Sequence, residues 1–243
     1  MDYERRRQAI VEHEGWEDYR NSVRRQGSRP PSRRAPQKSG NRFLTGLLLL
    51  LTAAVLVTAV LRKTGGPEPE KIQEHLPEYV TQDLLTENQW SRPGAALEKV
   101  NGLVLHYVGN PGTSAQANRN YFESLSDGSL GVYASSHFIV GLEGEVIQCV
   151  PMTEIAYASN SRNDDTISIE VCHPDESGEY GPETYRRVVE LCAWLCGEFR
   201  LDPREDLIRH YDISGKECPL YYVRHPEAWE QLRGDVEACL NAG

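Results

Sequence analysis

The chain has 243 residues and a formal net charge of −10, which gives room for one medium domain with appendages. The charge is uneven. Residues 1–42 hold 11 Lys and Arg against 6 Asp and Glu, and the remainder holds 15 against 30. The basic cluster at 24–42 has no interleaved aromatic residues, which argues against a nucleic-acid partner, and no internal repeat is present.

Residues 1–42 are rich in Arg, Ser, Pro and Gly, a composition that stays largely disordered, with one short helix expected across 7–23. Residues 43–61 (FLTGLLLLLTAAVLVTAVL) then run for 19 positions without a charge. A bilayer core needs roughly 20 apolar residues of helix, and this run is apolar on every face, unlike a buried amphipathic helix. It starts too far from the terminus and is too long for the apolar region of a cleaved signal peptide. A single membrane span is therefore expected at 43–61. Arg24, Arg25, Arg29, Arg33, Arg34, Lys38 and Arg42 precede it, so the positive-inside rule puts the N-terminal arm in the cytoplasm and the rest outside. Anionic lipid accounts for the basic arm.

Residues 62–79 read as a linker or stalk, opened by TGGPEPE, with a short helix expected near 79–85. The domain proper is expected over 80–243. Residues 103–108 form a short apolar strand. Ser114 caps a helix that runs through 121–125. Residues 136–142 and 145–150 flank a turn as a hairpin, and 166–172 alternate as a strand. Pro182 opens a helix whose core face carries Tyr185, Val188, Val189, Cys192, Leu195, Cys196 and Phe199. Residues 207–209 form another short strand, and Pro226 starts a last helix with Trp229, Leu232, Val236 and Leu240 inward. Strands mixed with helices over about 140 residues give an α/β domain around a single mixed central sheet flanked by helices, preceded by the membrane helix.

The segment 209–219 (RHYDISGKECP) sets His210 and Cys218 on either side of a Gly-containing turn, with Lys216 two residues before the cysteine. Imidazole and thiolate are preferred ligands of Zn²⁺. His106 ends an apolar strand just before a Gly/Pro loop, where a scaffold delivers a side chain to a rim. Together these make three ligand-type residues, the number a catalytic zinc site takes from protein while keeping one position open.

Four stretches in order, HYVGNPGTSAQANRNYF, SSHFIVGLEGEVIQCVP, DTISIEVCHP and RHYDISGKECP, resemble the zinc-dependent N-acetylmuramoyl-L-alanine amidases of the type-2 amidase and peptidoglycan recognition protein family, and especially their endolysin and autolysin branch. The resemblance covers roughly 80–240. It implies Zn²⁺ held by His106, His210 and Cys218. It also implies Glu170, in the I-x-I-E strand Ile167-Ser168-Ile169-Glu170, as general base and Lys216 as support for an oxyanion. Ser136 stands where some members carry a tyrosine. His137 matches the family's buried histidine. The stretch IAYASNSRN stands where many relatives read A-W-H-A-G, so Tyr157 and Asn160, with His137, are candidate substrate contacts, and Arg162 joins Tyr157 and Asn160 in a polar cleft wall.

Among the other cysteines, Cys192 and Cys196 share one helix face and pack as small apolar residues. A Cys149–Cys172 pairing and a second metal site using Cys192 and Cys196 with Cys172 and His173 stay open. The resulting expectation is a membrane-tethered zinc amidase on the cell-wall side, hydrolysing the amide between N-acetylmuramic acid and L-alanine in peptidoglycan. Its competitors are a non-catalytic peptidoglycan-binding module and a membrane-tethered scaffold for wall remodelling.

Overall fold

The computed structural model describes residues 69–242. The expected arm, its short helix and the span at 43–61 lie outside the described residues. Among the described residues no helix is long and apolar enough to cross a membrane.

Six strands among them, β1 (Val80–Gln82), β2 (Leu103–Leu105), β3 (Phe138–Val140), β4 (Val146–Gln148), β5 (Ile167–Val171) and β6 (Leu207–Arg209), form one sheet in the order β1-β4-β3-β5-β2-β6. Only the β3–β4 hairpin is antiparallel; every other pairing is parallel. The sheet is thus mixed, as the sequence suggests. The hairpin turn includes Gly144 at φ 79°, where a Cβ would press on the Glu183 carbonyl at 3.1 Å.

The helices are α1 (Pro69–Gln73), α2 (Ala115–Ser124), α3 (Pro182–Phe199), α4 (His210–Ser214), α5 (Leu220–Arg224) and α6 (Pro226–Ala242). The cap expected at Ser114 is present: its Oγ accepts from the Ala117 N–H at 3.2 Å. α3 and α6 begin at the expected prolines. Their buried residues Val188, Leu191, Cys192, Leu195, Trp229, Leu232 and Val236 share one core with Leu103, Leu105, Phe138, Val140, Ile167, Ile169 and Val171 of the sheet. Ile139 and Ile147 turn the other way and pack with Phe122 of α2. Successive strand residues alternate between faces, and buried central strands read as apolar runs, which is why LVL, FIV and ISI carry so little polarity.

Two expectations change near the domain's start. The helix placed near 79–85 is instead the edge strand β1, because Val80, Thr81 and Gln82 pair with Val146, Ile147 and Gln148. Residues 69–79, assigned to the linker, belong to the packed body. Ile72 is 3% exposed within the main core, and the Gln73 and Gln148 amides exchange hydrogen bonds at 2.9 and 2.8 Å. A five-residue amphipathic turn gives too short a periodicity for its burial to be read from sequence. All six cysteines are free thiols.

A candidate metal centre at the strand ends

Parallel β2, β5 and β6 are neighbours, so all three bring their C-terminal ends to one edge of the sheet. Such an edge is the usual place for a site in α/β folds. β2 stops at Leu105, yet the His106 N–H continues the ladder, donating to the Ile169 carbonyl at 2.9 Å. Leu105 is paired with Ile169, so the next step sets His106 beside Glu170. Leu105 and Ile169 face α3, so His106 and Glu170 share the opposite face.

β6 delivers the second histidine. His210 is the first residue of α4, directly after Arg209. The Asp212 carboxylate accepts from the Arg209 backbone N–H at 2.9 Å and pairs with its guanidinium at 2.7 Å. The same guanidinium donates to the Tyr222 carbonyl at 2.9 Å, tying α4 to α5. α4 ends at Gly215, whose φ of 77° lets the chain reverse. The Tyr211 N–H then donates to the Cys218 carbonyl at 2.9 Å, which returns the thiol to His210.

The outcome is a compact donor set. One ligand atom each from His106, His210 and Cys218 lies within 4.8 Å of the others, and all three residues are buried. Cys218 Sγ is 3.8 Å from His106 Nδ1, and the two imidazole centroids are 4.7 Å apart. Burial pushes the metal-free thiol up to about 12; the nearby Glu170 adds to this, and the Tyr107 backbone N–H and Lys216 oppose it. Burial likewise raises the Glu170 carboxyl to about 8, opposed by Lys216. Glu170 Oε2 is shut from solvent and meets no donor from the protein.

These residues fit a zinc ion. Two nitrogens and a sulfur converge in a solvent-excluded spot, the donor chemistry zinc favours. A cation there offsets the cost of holding a thiolate and a carboxylate out of water. Lys216 is exposed on the turn between α4 and α5, close enough for its charge to act on both groups.

The other expected residues divide. His137 is 1% exposed. Its Nδ1 accepts from the Ser168 N–H at 3.0 Å, and its Nε2 donates to the Glu154 carbonyl at 2.9 Å. Both nitrogens are used in tying β3 to β5 and the loop at Glu154, and burial lowers its pKa to about 4. Tyr157 is buried with its ring edge-on to Tyr133 at 5.5 Å. Asn160 turns inward, its Oδ1 lying 2.6 Å from His210 Nε2. Arg162 pairs with Asp165 at 2.6 Å.

Sequence reasoning missed Ser159, whose Oγ lies 3.3 Å from His106 Nε2, and Tyr180, whose hydroxyl donates to the His106 carbonyl at 3.1 Å. The sole trace of the first is the Ser-Asn pair inside the stretch that departs from the A-W-H-A-G pattern.

The comparisons with known proteins agree with this architecture. A family model described as N-acetylmuramoyl-L-alanine amidase matches residues 96–220. The curated N-acetylmuramoyl-L-alanine amidase BlyA of Bacillus subtilis is 32% identical over 181 residues, covering 66% of this chain and 47% of the relative. CwlL of Bacillus licheniformis, which carries the same activity in its name, is 30% identical over 173 residues with the same coverage. The chain thus spans about half the length of these relatives. Among solved structures, the catalytic domain of XlyA superposes with a TM-score of 0.54 at 23% identity, covering 65% of this chain and 98% of that one. PlyL superposes at 0.56 and 21% identity, covering 65% and 96%; both show a shared fold. With the family model spanning half the chain and four ordered motifs inside it, the chain belongs to the N-acetylmuramoyl-L-alanine amidase family of type-2 amidases.

Proposed function

We propose that the chain is a zinc-dependent peptidoglycan hydrolase that cleaves the amide between the lactyl group of N-acetylmuramic acid and the L-alanine of the stem peptide. One observation carries the reading: His106, His210 and Cys218 converge beside the half-buried Glu170, whose Oε2 is shut from solvent and satisfied by no protein group. The names of the related amidases support the same reaction.

His106, His210 and Cys218 would hold the ion. A bound Zn²⁺ supplies Lewis acidity toward water and toward a carbonyl oxygen. Glu170 takes a proton from the water that attacks the lactyl carbonyl carbon. It returns that proton to the alanine nitrogen as the C–N bond breaks, leaving a lactyl carboxyl group and a free amine. Burial favours its acid form, and Lys216 together with a nearby cation favours the carboxylate, so one group can serve in both directions. The Lys216 ammonium faces the negative charge that develops on the carbonyl oxygen.

The expected tether at 43–61 completes the reading, with the domain on the cell-wall side. Protease accessibility of the domain in intact cells tests that placement. For the reaction, the full chain is incubated with purified muropeptides and Zn²⁺, and the products are weighed by mass spectrometry. Release of stem peptides with a free L-alanine amine is expected. Binding without release would instead make the protein a recognition module.

A further inference from the structure

The turn that departs from the A-W-H-A-G pattern lies against both imidazoles. Ser159 Oγ is 3.3 Å from His106 Nε2, and the adjacent Asn160 Oδ1 is 2.6 Å from His210 Nε2. The turn is itself held in shape. Asn163 Oδ1 accepts from the Ala158 and Ser159 N–H groups at 3.1 and 2.6 Å. Thr166 Oγ1 donates to the Arg162 carbonyl at 2.6 Å, and Arg162 pairs with Asp165. Asn160 sits at φ 50°, a left-handed conformation uncommon for residues other than glycine, although Asn enters it more readily than most.

An amide oxygen only accepts, so the 2.6 Å contact places a proton on His210 Nε2. The lone pair of the neutral ring is then on Nδ1. For His106, Nδ1 already faces Cys218 Sγ at 3.8 Å, and Ser159 occupies the other nitrogen. An imidazole whose second nitrogen is fixed by a neighbour is held in one tautomer and one orientation, and loss of such a partner typically costs 10–100-fold in metal affinity.

We infer that Asn160, supported by Ser159, is a positioning residue of the metal centre: Asn160 sets the tautomer of His210, and the 159–160 turn holds both imidazoles in the orientation that presents Nδ1 toward the metal. The inference rests on the zinc reading above and assigns Asn160 a task other than substrate contact. Only the acceptor and the unusual backbone are needed at this position. Asn160→Gly keeps the left-handed backbone without strain and removes the acceptor; Asn160→Asp keeps an acceptor and enters the same conformation.

The test uses the full chain, with Zn²⁺ alone as probe. Zinc affinity is measured by competition with a chromophoric chelator. The imidazole tautomers of the metal-free protein are read from long-range ¹H–¹⁵N spectra. Wild type should show His210 protonated on Nε2. Asn160→Gly should lose that single tautomer and bind zinc 10–100-fold more weakly, with the melting temperature of the metal-free protein unchanged. Asn160→Asp should restore both signatures. Equal zinc affinity in Asn160→Gly and wild type overturns the inference. So does an affinity loss accompanied by a matching drop in metal-free melting temperature, or a failure of Asn160→Asp to rescue. Absence of zinc binding in wild type would instead defeat the zinc reading, while the tautomer spectra still report on Asn160.

Discussion

His106 Nδ1 and Cys218 Sγ stand 3.8 Å apart although 112 positions separate them in the chain. Two features close that gap: the parallel pairing of β2 with β6, which sets Leu105 beside Arg209, and the reversal at Gly215 that returns the chain to the end of β6.

Cys218 should therefore be indispensable to the ion. Chelation is expected to lower the melting temperature of the wild-type chain, and added Zn²⁺ to restore it, by about 4 kcal/mol of stabilisation at 1,000 times the dissociation constant. Cys218→Ala should abolish the zinc-dependent rise. Thermal scans with and without Zn²⁺ decide this, and a full rise in the variant would remove the thiol from the site.

Glu170→Gln should leave zinc stoichiometry unchanged while lowering the rate of muropeptide hydrolysis by about 10²–10⁴-fold, the usual worth of a positioned general base. The same substitution has a pH signature in the metal-free protein. The folded carboxyl holds its proton up to about 8, against 4.5 ordinarily. The folded state thus keeps a proton that the unfolded chain releases, and stability from this group is lost as pH rises from 4.5 to 8. Glu170→Gln has no such loss, so its advantage over wild type should grow across that window, to a ceiling of about 5 kcal/mol. Denaturant melts at several pH values check it; an advantage that is flat with pH would contradict the burial argument.

Lys216 is exposed, so water and salt screen its charge. Lys216→Met is expected to slow turnover by about 10–100-fold, below the upper range for a buried oxyanion donor, with zinc affinity and melting temperature retained. Steady-state kinetics on a defined muropeptide should show the loss in kcat rather than KM.

His137 contributes a different pH dependence. Its folded pKa is lowered to about 4 from 6.5. Below pH 6.5 the unfolded chain takes up a proton that the folded protein refuses, so stability falls as pH drops from 6.5 to 4, by about 3 kcal/mol at most. His137→Gln should flatten that slope in acid unfolding experiments. An unchanged slope would show that other groups set it.

Ile72→Ala should destabilise the protein by about 2–5 kcal/mol, the range for emptying a packed core position, because Ile72 is 3% exposed among core residues. A free linker would tolerate the change silently, so equilibrium unfolding separates the two descriptions of 69–79.

The sequence by itself determined the family and the residue types gathered at the candidate site. Four ordered motifs, the ligand types at His106, His210 and Cys218, and the I-x-I-E strand could all be read without coordinates, as could the helix starts at Pro182 and Pro226. These features are local: a cap, a proline, a periodic face or a short motif carries its meaning within a few residues. Tertiary structure alone decided what lies next to what. It turned 80–82 into an edge strand, because β4 offered it a partner. It buried His137 between Ser168 and Glu154, and it brought Ser159 and Asn160 against histidines about 50 positions away. Such contacts depend on strand order and on which way a turn folds, and no local pattern of residues encodes either.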